Sequence, residues 1–173
     1  MAGLSVLLLL LLTAGAIAYF TTNGTGSGTA SVGTSSTITL HGTTTGTLYP
    51  GTSETVTLAA DNPSSGHQQV GTVHLSGIYA CTGGTNNDSV WNGSSCSDGT
   101  NGGHEVSTCE DIDNGSVGNA GQHDFYMQDV QENQDIAPGT GTALNNNGTL
   151  VMNDLNSSQD QCKNANLYLV LTS

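Results

Sequence analysis

The feature that most constrains this chain is the alternation of apolar and polar side chains in short segments after residue 20. The segments "STITLHG" and "SETVTLAAD" alternate with a period of two, and Pro50-Gly51 and Pro138-Gly139 mark turns between such segments. This period is typical of half-buried strands, and no segment after residue 20 has a sustained helical period. The sequence therefore predicts a mainly β head of about seven short strands, among them "DFYMQDVQ" (124–131) and the apolar terminal strand "ANLYLVLTS". We expect an antiparallel β-sandwich of Greek-key type, with a closed barrel as the alternative.

Cysteine spacing adds a second constraint on the head. The four cysteines are Cys81, Cys96, Cys109 and Cys162, and no two of them form a C-x-x-C pair. An even number of cysteines in an exported chain predicts disulfides, here two, whereas the spacing argues against zinc or thioredoxin-like chemistry. Four cysteines allow three connectivities. Residues 81–122 hold almost nothing apolar, so we expect a long loop without regular structure that the disulfides staple.

The N-terminal segment is the main functional ambiguity. Residues 4–20 form an apolar run without a charged side chain, and residues 21–36 form a linker of Thr, Gly and Ser. As a helix the run would be about 25 Å long, slightly shorter than a hydrocarbon core of about 30 Å. Small residues at 14–18 suit cleavage by a signal peptidase. However, export signals and membrane anchors normally carry basic residues, which this segment lacks. We therefore divide the chain into an apolar helix (1–20), a linker (21–36) and a β-sandwich head (37–173).

Charge excludes two classes of partner. Lys163 is the only basic residue, there is no Arg, and fourteen acids give a net charge of -13. Nucleic acids and anionic lipid surfaces are recognised by Lys and Arg, so neither is an expected partner. Twelve of the acids lie at or after Asp88. A solvated acidic surface is the simpler interpretation, and cation binding is the alternative.

Catalytic and metal-binding motifs are weak. None of the five histidines lies in a nucleophile motif, so we expect no enzymatic activity and no cofactor. The segment "EDIDNGS" offers Asp111, Asp113 and Asn114 as candidate Ca²⁺ ligands. Ser116 and Gln122 break the EF-hand pattern, because that pattern requires Gly and Glu at these two positions.

Surface features include sequons and a few aromatic residues. Six N-x-S/T sequons mark candidate glycosylation sites at Asn23, Asn87, Asn92, Asn114, Asn147 and Asn156. The larger aromatic residues of the head are scattered in sequence, at Tyr49, Tyr79, Trp91, Tyr126 and Tyr168. We expect them to pack in the core or in loops rather than to form a sugar-binding platform.

The head resembles small, uncharacterised secreted proteins of high-GC Gram-positive bacteria with immunoglobulin-like sandwiches. The matching pieces are "GSGTASVGT", "LYPGTSETVTLAADNPSSGHQQVGTVHL", "DFYMQDVQENQDIAPGTGTALNNNGTLVMND" and "NSSQDQCKNANLYLVLTS". The resemblance covers residues 26–173, and the additional cysteines in the middle depart from it. It implies a disulfide between Cys109 and Cys162, which leaves Cys81 to pair with Cys96.

The chain as a whole resembles the plan of type IV pilins. Met1, an apolar helix, a Thr/Gly linker and a β-rich head follow one another. Ser5 departs from the bacterial pattern, which usually has Glu there, whereas archaeal-type pilins commonly lack that acid. The resemblance implies that the helix packs against copies of itself in a filament core, where small residues permit close packing. The implied assembly residues are Leu4, Val6, Leu7, Leu8, Leu10, Leu11, Leu12, Ala14 and Ala18.

The functional expectation is thus an extracellular filament at the cell surface. The chain would be its own partner, would touch the membrane through the apolar helix before assembly, and would present the head to surfaces or other cells. Strand exchange is a related route, with residues 29–40 completing a neighbour's sheet. The alternative is a monomeric secreted or membrane-anchored surface protein in which residues 1–18 are an export signal.

Overall fold

The structure is a computed structural model that describes residues 35–83, 89–97, 103–113 and 122–173. The predicted apolar helix and most of the linker lie outside the described residues. Gly33–Ser173 form one compact unit. Among the described residues, no helix has both the length and the apolar character needed to cross a membrane.

Strands make up most of the described chain. Two short 3₁₀ helices interrupt them, at Ser107–Cys109 and Asp160–Cys162. The strands are β1 (Thr39–Thr43), β2 (Thr52–Asn62), β3 (Gln68–Thr82), β4 (Val90–Trp91), β5 (Cys96–Ser97), β6 (His104–Glu105), β7 (Ile112–Asp113), β8 (Phe125–Met127), β9 (Val130–Ile136), β10 (Gly139–Ala143), β11 (Gly148–Met152) and β12 (Asn166–Thr172).

Two long strands each organise one sheet. In the first sheet the order is β1-β2-β11-β8-β7, and β10 also pairs with β2. In the second sheet the order is β12-β3-β6, and β9 also pairs with β3. A separate pair joins β4 to β5. The pairings are antiparallel except for that of β7 with β8, which is parallel. The head is therefore mainly β, as predicted, although it is not entirely antiparallel.

Bulges in β3 explain why its buried residues do not follow a strict alternation. Val70, Val73, Leu75, Ile78 and Ala80 are all buried. The spacing between successive buried residues is therefore three at two points and two elsewhere. The register shifts between Val70 and Thr72 against β9, and again opposite Val170 and Leu171 of β12. Each bulge moves the inward face along by one residue. The strand can therefore pair with β9 in its first half and β12 in its second half while keeping its apolar face inward.

The core lies between the two sheets. Val56, Leu58 and Ala60 of β2 alternate inward, and they belong to the same buried cluster as the inward residues of β3. Phe125 and Leu150 add the largest side chains from the far strands of the first sheet. Truncating one such buried Leu to Ala typically costs about 2–5 kcal/mol, so this layer is the main source of stability.

A buried asparagine fixes the corner where the chain passes between sheets. Asn62 is 1% exposed at the end of β2. Its Nδ2 donates hydrogen bonds to the carbonyl oxygens of Ile136 (2.8 Å) and Gly66 (2.9 Å), and its Oδ1 accepts one from the Ser64 N–H. Asn62 thus ties the β2–β3 turn to the end of β9, where the chain crosses to β10.

Two disulfides hold the irregular middle of the chain. They join Cys81 to Cys96, 15 residues apart, and Cys109 to Cys162, 53 residues apart. This is the pairing that the resemblance to the secreted sandwich proteins implies. The first links β3 to β5, and the second links the two 3₁₀ helices. Such cross-links restrict the unfolded chain, and the longer loop gains more in the chain-entropy model.

Two features of the fold differ from the sequence prediction. The segment 124–131 was expected to be one strand, but it divides into β8 and β9 because β8 pairs with β11 and β9 pairs with β3. The middle segment 81–122 was expected to lack regular structure, yet its described parts contain β4 to β7 and one 3₁₀ helix. These strands are only two residues long, so they are too short to leave a periodic pattern.

We predict that Asn62→Ala lowers the free energy of unfolding by about 1–3 kcal/mol, because it leaves buried backbone groups without hydrogen-bond partners. Urea denaturation monitored by circular dichroism measures the change. Asn146→Ala is the matched control, since the Asn146 side chain donates to the Gln131 carbonyl at an exposed position. Equal losses in the two variants would contradict the role of Asn62 in the corner.

Candidate interaction cleft

The edges of the two sheets meet on one side of the head. Among the described residues, β1 pairs only with β2, and β12 pairs only with β3. The two strands approach each other at Gly42, where a Cβ atom would lie 3.0 Å from Leu171 Cδ1 and 3.5 Å from Leu169 Cδ1. We call this side, bounded by β1 and β12, the open side. A cleft lies on each side of this close contact.

The larger space is a cleft of about 870 Å³ between the β1–β2 connection and β12. Phe125, Leu150 and Met152 line its floor, and Leu167 and Leu169 line one wall. Leu167 and Leu169 are only half-buried, although they pack against the core. The cleft therefore exposes an apolar wall that the fold of the described chain does not cover.

The rim of this larger cleft is polar. Its lining includes Asp154, Asp160 and Lys163, and Lys163 is the only Lys or Arg of the chain. Tyr49 and Pro50 of the Pro50-Gly51 turn also line it. This turn is held by hydrogen bonds from the Thr52 N–H to the Tyr49 carbonyl (2.9 Å) and from the Gly51 N–H to the Met152 carbonyl (2.8 Å).

The smaller cleft, of about 470 Å³, lies at the other end of the open side. Ile38, just before β1, and Leu40 of β1 line this cleft, and so does Leu171 of β12. Ser35, where the described chain begins, belongs to the same lining. The segment that precedes β1 is therefore attached to the head at the open side.

The free edge of β12 lacks the usual protection of an edge strand. Its sequence, NLYLVLT, contains neither a charge nor a proline over seven residues. Several other edges in the described chain are guarded: β9 carries Glu132 and Asp135, β10 is bulged, and β6 and β7 are two residues long. β1, the other strand of the open side, is also uncharged but has only five residues. A long, uncharged and apolar edge is a template for pairing with another chain. The structure thus places an unprotected strand edge beside an apolar cleft.

Histidines supply most of the positive partners for the acids. Four of the five histidines lie within 2.9 Å of an aspartate. The pairs are His41–Asp61 (2.9 Å), His67–Asp135 (2.7 Å), His74–Asp129 (2.7 Å) and His123–Asp111 (2.8 Å). Because these pairs are partly or largely exposed, solvent screens them strongly.

Hydrogen bonds shift the pKa of one group in each of two pairs. The Gly141 N–H donates to Asp61 (2.6 Å), and this bond, followed by the one from His41, lowers the pKa of Asp61. The hydrogen bond to Asp111 raises the pKa of His123, against the opposing effect of partial burial. Asp113 and Asp124 add smaller contributions in the same direction. The surrounding carboxylates therefore favour the charged form of His123.

The calcium candidates lie close to this histidine. Asp111 binds His123, whereas Asp113 is 2% exposed and its Oδ2 has no hydrogen-bond partner. Asn114 lies outside the described residues. In the described part of the chain, no three His, Cys, Asp or Glu side chains converge as metal ligands would. The arrangement thus forms an acidic environment for His123 and gives no further support to Ca²⁺ binding.

The structure brings together aromatic residues that are far apart in sequence. Tyr79 and Trp91 stack with ring centroids 3.8 Å apart and planes 6° apart. Tyr168 pairs with Tyr79 in the register of β12 and β3, and it is 48% exposed. These three rings, which are scattered in sequence, are thus neighbours in the fold. They form an aromatic patch on the outer face of the second sheet, because the neighbouring residues Ile78 and Ala80 point into the core.

The remaining predicted site residues fall into two groups. Asn92, Asn147 and Asn156 are exposed, as carriers of glycan would need to be. Asn23, Asn87 and the whole assembly helix, Leu4 to Ala18, lie outside the described residues.

The open side could not be identified from the sequence alone. The closing segment, "ANLYLVLTS", predicts only a terminal strand. The sequence signal that could have indicated this side is the composition of that segment. The segment is apolar on both faces, although a terminal strand often lies at a sheet edge.

Comparison with known proteins gives no relative for this chain. No family model, no curated protein and no solved structure matches it.

We predict that the stability supplied by the His123–Asp111 pair depends on pH. Because the folded pKa of His123 is raised, its contribution is complete below the unfolded pKa of about 6.5 and is lost as pH rises through the raised value. Thermal unfolding of His123→Asn should therefore differ from wild type more at about pH 5.5 than at about pH 8.5. Asp111→Asn should reproduce the same pH dependence, and a difference that does not change with pH would contradict the account.

Proposed function

We propose that this protein is the structural subunit of an extracellular, pilus-like filament. Residues 4–20 assemble as apolar helices in the filament core, and the β-sandwich head faces outward. The head belongs to the immunoglobulin-like class in this proposal. Its partner is a further copy of the same chain, and the function is mechanical and adhesive rather than enzymatic.

The observation that carries the proposal is the unguarded edge of β12 on the open side. A monomeric head would normally protect such an edge with charge, proline or a covering segment, because exposed edges aggregate. A subunit that assembles has a use for it. The uncharged N-terminal run supports the same conclusion, since a charge inside a dry filament core would be costly.

The setting of the head is consistent with the cell surface. Two disulfides are typical of proteins in oxidising, extracellular compartments. The acidic surface keeps separate heads from clumping through any but their specific contacts. Glycans on Asn92, Asn147 and Asn156 would add to this separation, because all three are exposed.

The alternative function is a secreted or membrane-anchored monomer that binds a surface, with residues 1–18 as an export signal. The aromatic patch of Tyr79, Trp91 and Tyr168 favours it. Exposed aromatic rings often mark binding surfaces. Both functions place the head outside the cell, so the fate of residues 4–20 separates them.

Replacing Leu9 and Leu10 with Asp tests the proposal. Two charges in a helix-packed core should abolish filaments, as judged by negative-stain electron microscopy of material sheared from producing cells. Replacing the same two residues with Ala is the matched control, because it shortens the same side chains without adding charge to the apolar run. We expect this control to form filaments. Unchanged filaments in the Leu9/Leu10 variant would contradict the proposed function.

A further inference from the structure

We propose that the free edge of β12 receives residues 21–34 of a second copy of this chain as an added antiparallel or parallel strand. The inference rests on the proposed function and deepens it, because it identifies the contact between neighbouring heads. In this arrangement one copy donates the segment between its apolar run and its head. The next copy accepts it on the open side.

The acceptor is defined by the described residues. The outer edge of β12 has no pairing strand among them, and Leu167, Leu169 and Leu171 remain half-buried beside it. Adding one strand would satisfy the backbone groups of this edge. It would also cover the exposed parts of the three leucines, so the acceptor gains both hydrogen bonds and apolar contacts.

The donor segment has the composition that this edge requires. Residues 29–32 alternate between hydroxyl side chains, at Thr29 and Ser31, and small apolar side chains, at Ala30 and Val32. In an added strand this alternation would turn Ala30 and Val32 to the leucines and Thr29 and Ser31 to solvent. Small side chains suit the middle of the open side, because β1 already approaches β12 closely at Gly42.

Charge favours this segment over the rest of the chain. No Asp, Glu, Lys or Arg occurs before Glu54, whereas the remainder carries all fourteen acids. Asp154 and Asp160 at the rim of the larger cleft would repel an acidic strand. An uncharged segment meets no such repulsion.

Length allows the segment to reach a neighbour. Fourteen residues in extended conformation span about 46–50 Å, which exceeds the diameter of a domain of this size, about 35–40 Å. The described chain begins at Ser35 on the open side itself. A donor segment can therefore leave one head and lie along the next.

Lysine substitutions in the donor of the full chain test the alternation without touching the head. Val32→Lys and Ala30→Lys would place a charge against the leucines, and we expect filament yield to fall at least about tenfold. Ser31→Lys and Thr29→Lys should lower the yield less than about twofold, because these side chains face solvent in the added strand. Equal effects at all four positions would overturn the inference.

The acceptor is tested by Leu169→Lys, with Val90→Lys as the control. Val90 is 54% exposed on β4, which pairs with β5 outside the two main sheets. Both variants should keep the circular dichroism spectrum of a β protein, and only Leu169→Lys should reduce filament yield. A Leu169→Lys variant that is folded and still forms filaments normally would contradict the proposed acceptor.

Cross-linking identifies the occupant directly. Full-length chains labelled with ¹⁴N and ¹⁵N are mixed before assembly, and a photo-reactive amino acid replaces Val32. We expect cross-links from Val32 to β12 of the other isotope, in filaments or in associated purified chains. Cross-links within one isotope only, cross-links to another surface, or none would overturn the inference. Filaments that persist without this cross-link would leave the proposed function intact, whereas a wild type that forms no filaments would contradict that function alone.

Discussion

The packing of β2 against β3 is the interaction on which the rest of this structure depends. Each of these long strands is paired on both sides, and their inward residues form most of the core. Asn62 joins their ends at the corner and also holds the end of β9. Every other strand of the two sheets is placed by successive pairings that lead outward from β2 or β3. The sheets therefore end where these pairings end. On one side they stop at β1 and β12, and the leucines of β12 are left partly uncovered.

The ionic composition of the chain shapes how such a head meets its surroundings. With one lysine and no arginine, the aspartates have histidines as their main cationic partners. The long-range repulsion between heads is strong at neutral pH, since the acids greatly outnumber the bases. Specific association therefore requires a contact that is uncharged, and the edge of β12 is the longest uncharged edge in the described sheets.

Much of the β architecture could be predicted from the sequence, because alternation in β2 follows a period of two without interruption. The buried set of β3 could not be predicted fully, since two bulges shift its inward face and bulges leave no clear local pattern. Proximity in space was also beyond reach. The stacking of Tyr79 on Trp91 and the meeting of β1 with β12 depend on pairings between distant segments. The candidate site was therefore missed, although the residues of its wall were visible as an unusually apolar C-terminal strand.

The most direct measurement of the central claim is the intact mass and N-terminal sequence of this chain in material sheared from the surface of producing cells. The account predicts that the chain in the sedimenting, filamentous fraction retains residues 4–20. Excess mass in that fraction would report glycan on the exposed sequons. A soluble, monomeric chain that begins after residue 18 would contradict the account, because the apolar run would then be an export signal and the head a secreted binding domain.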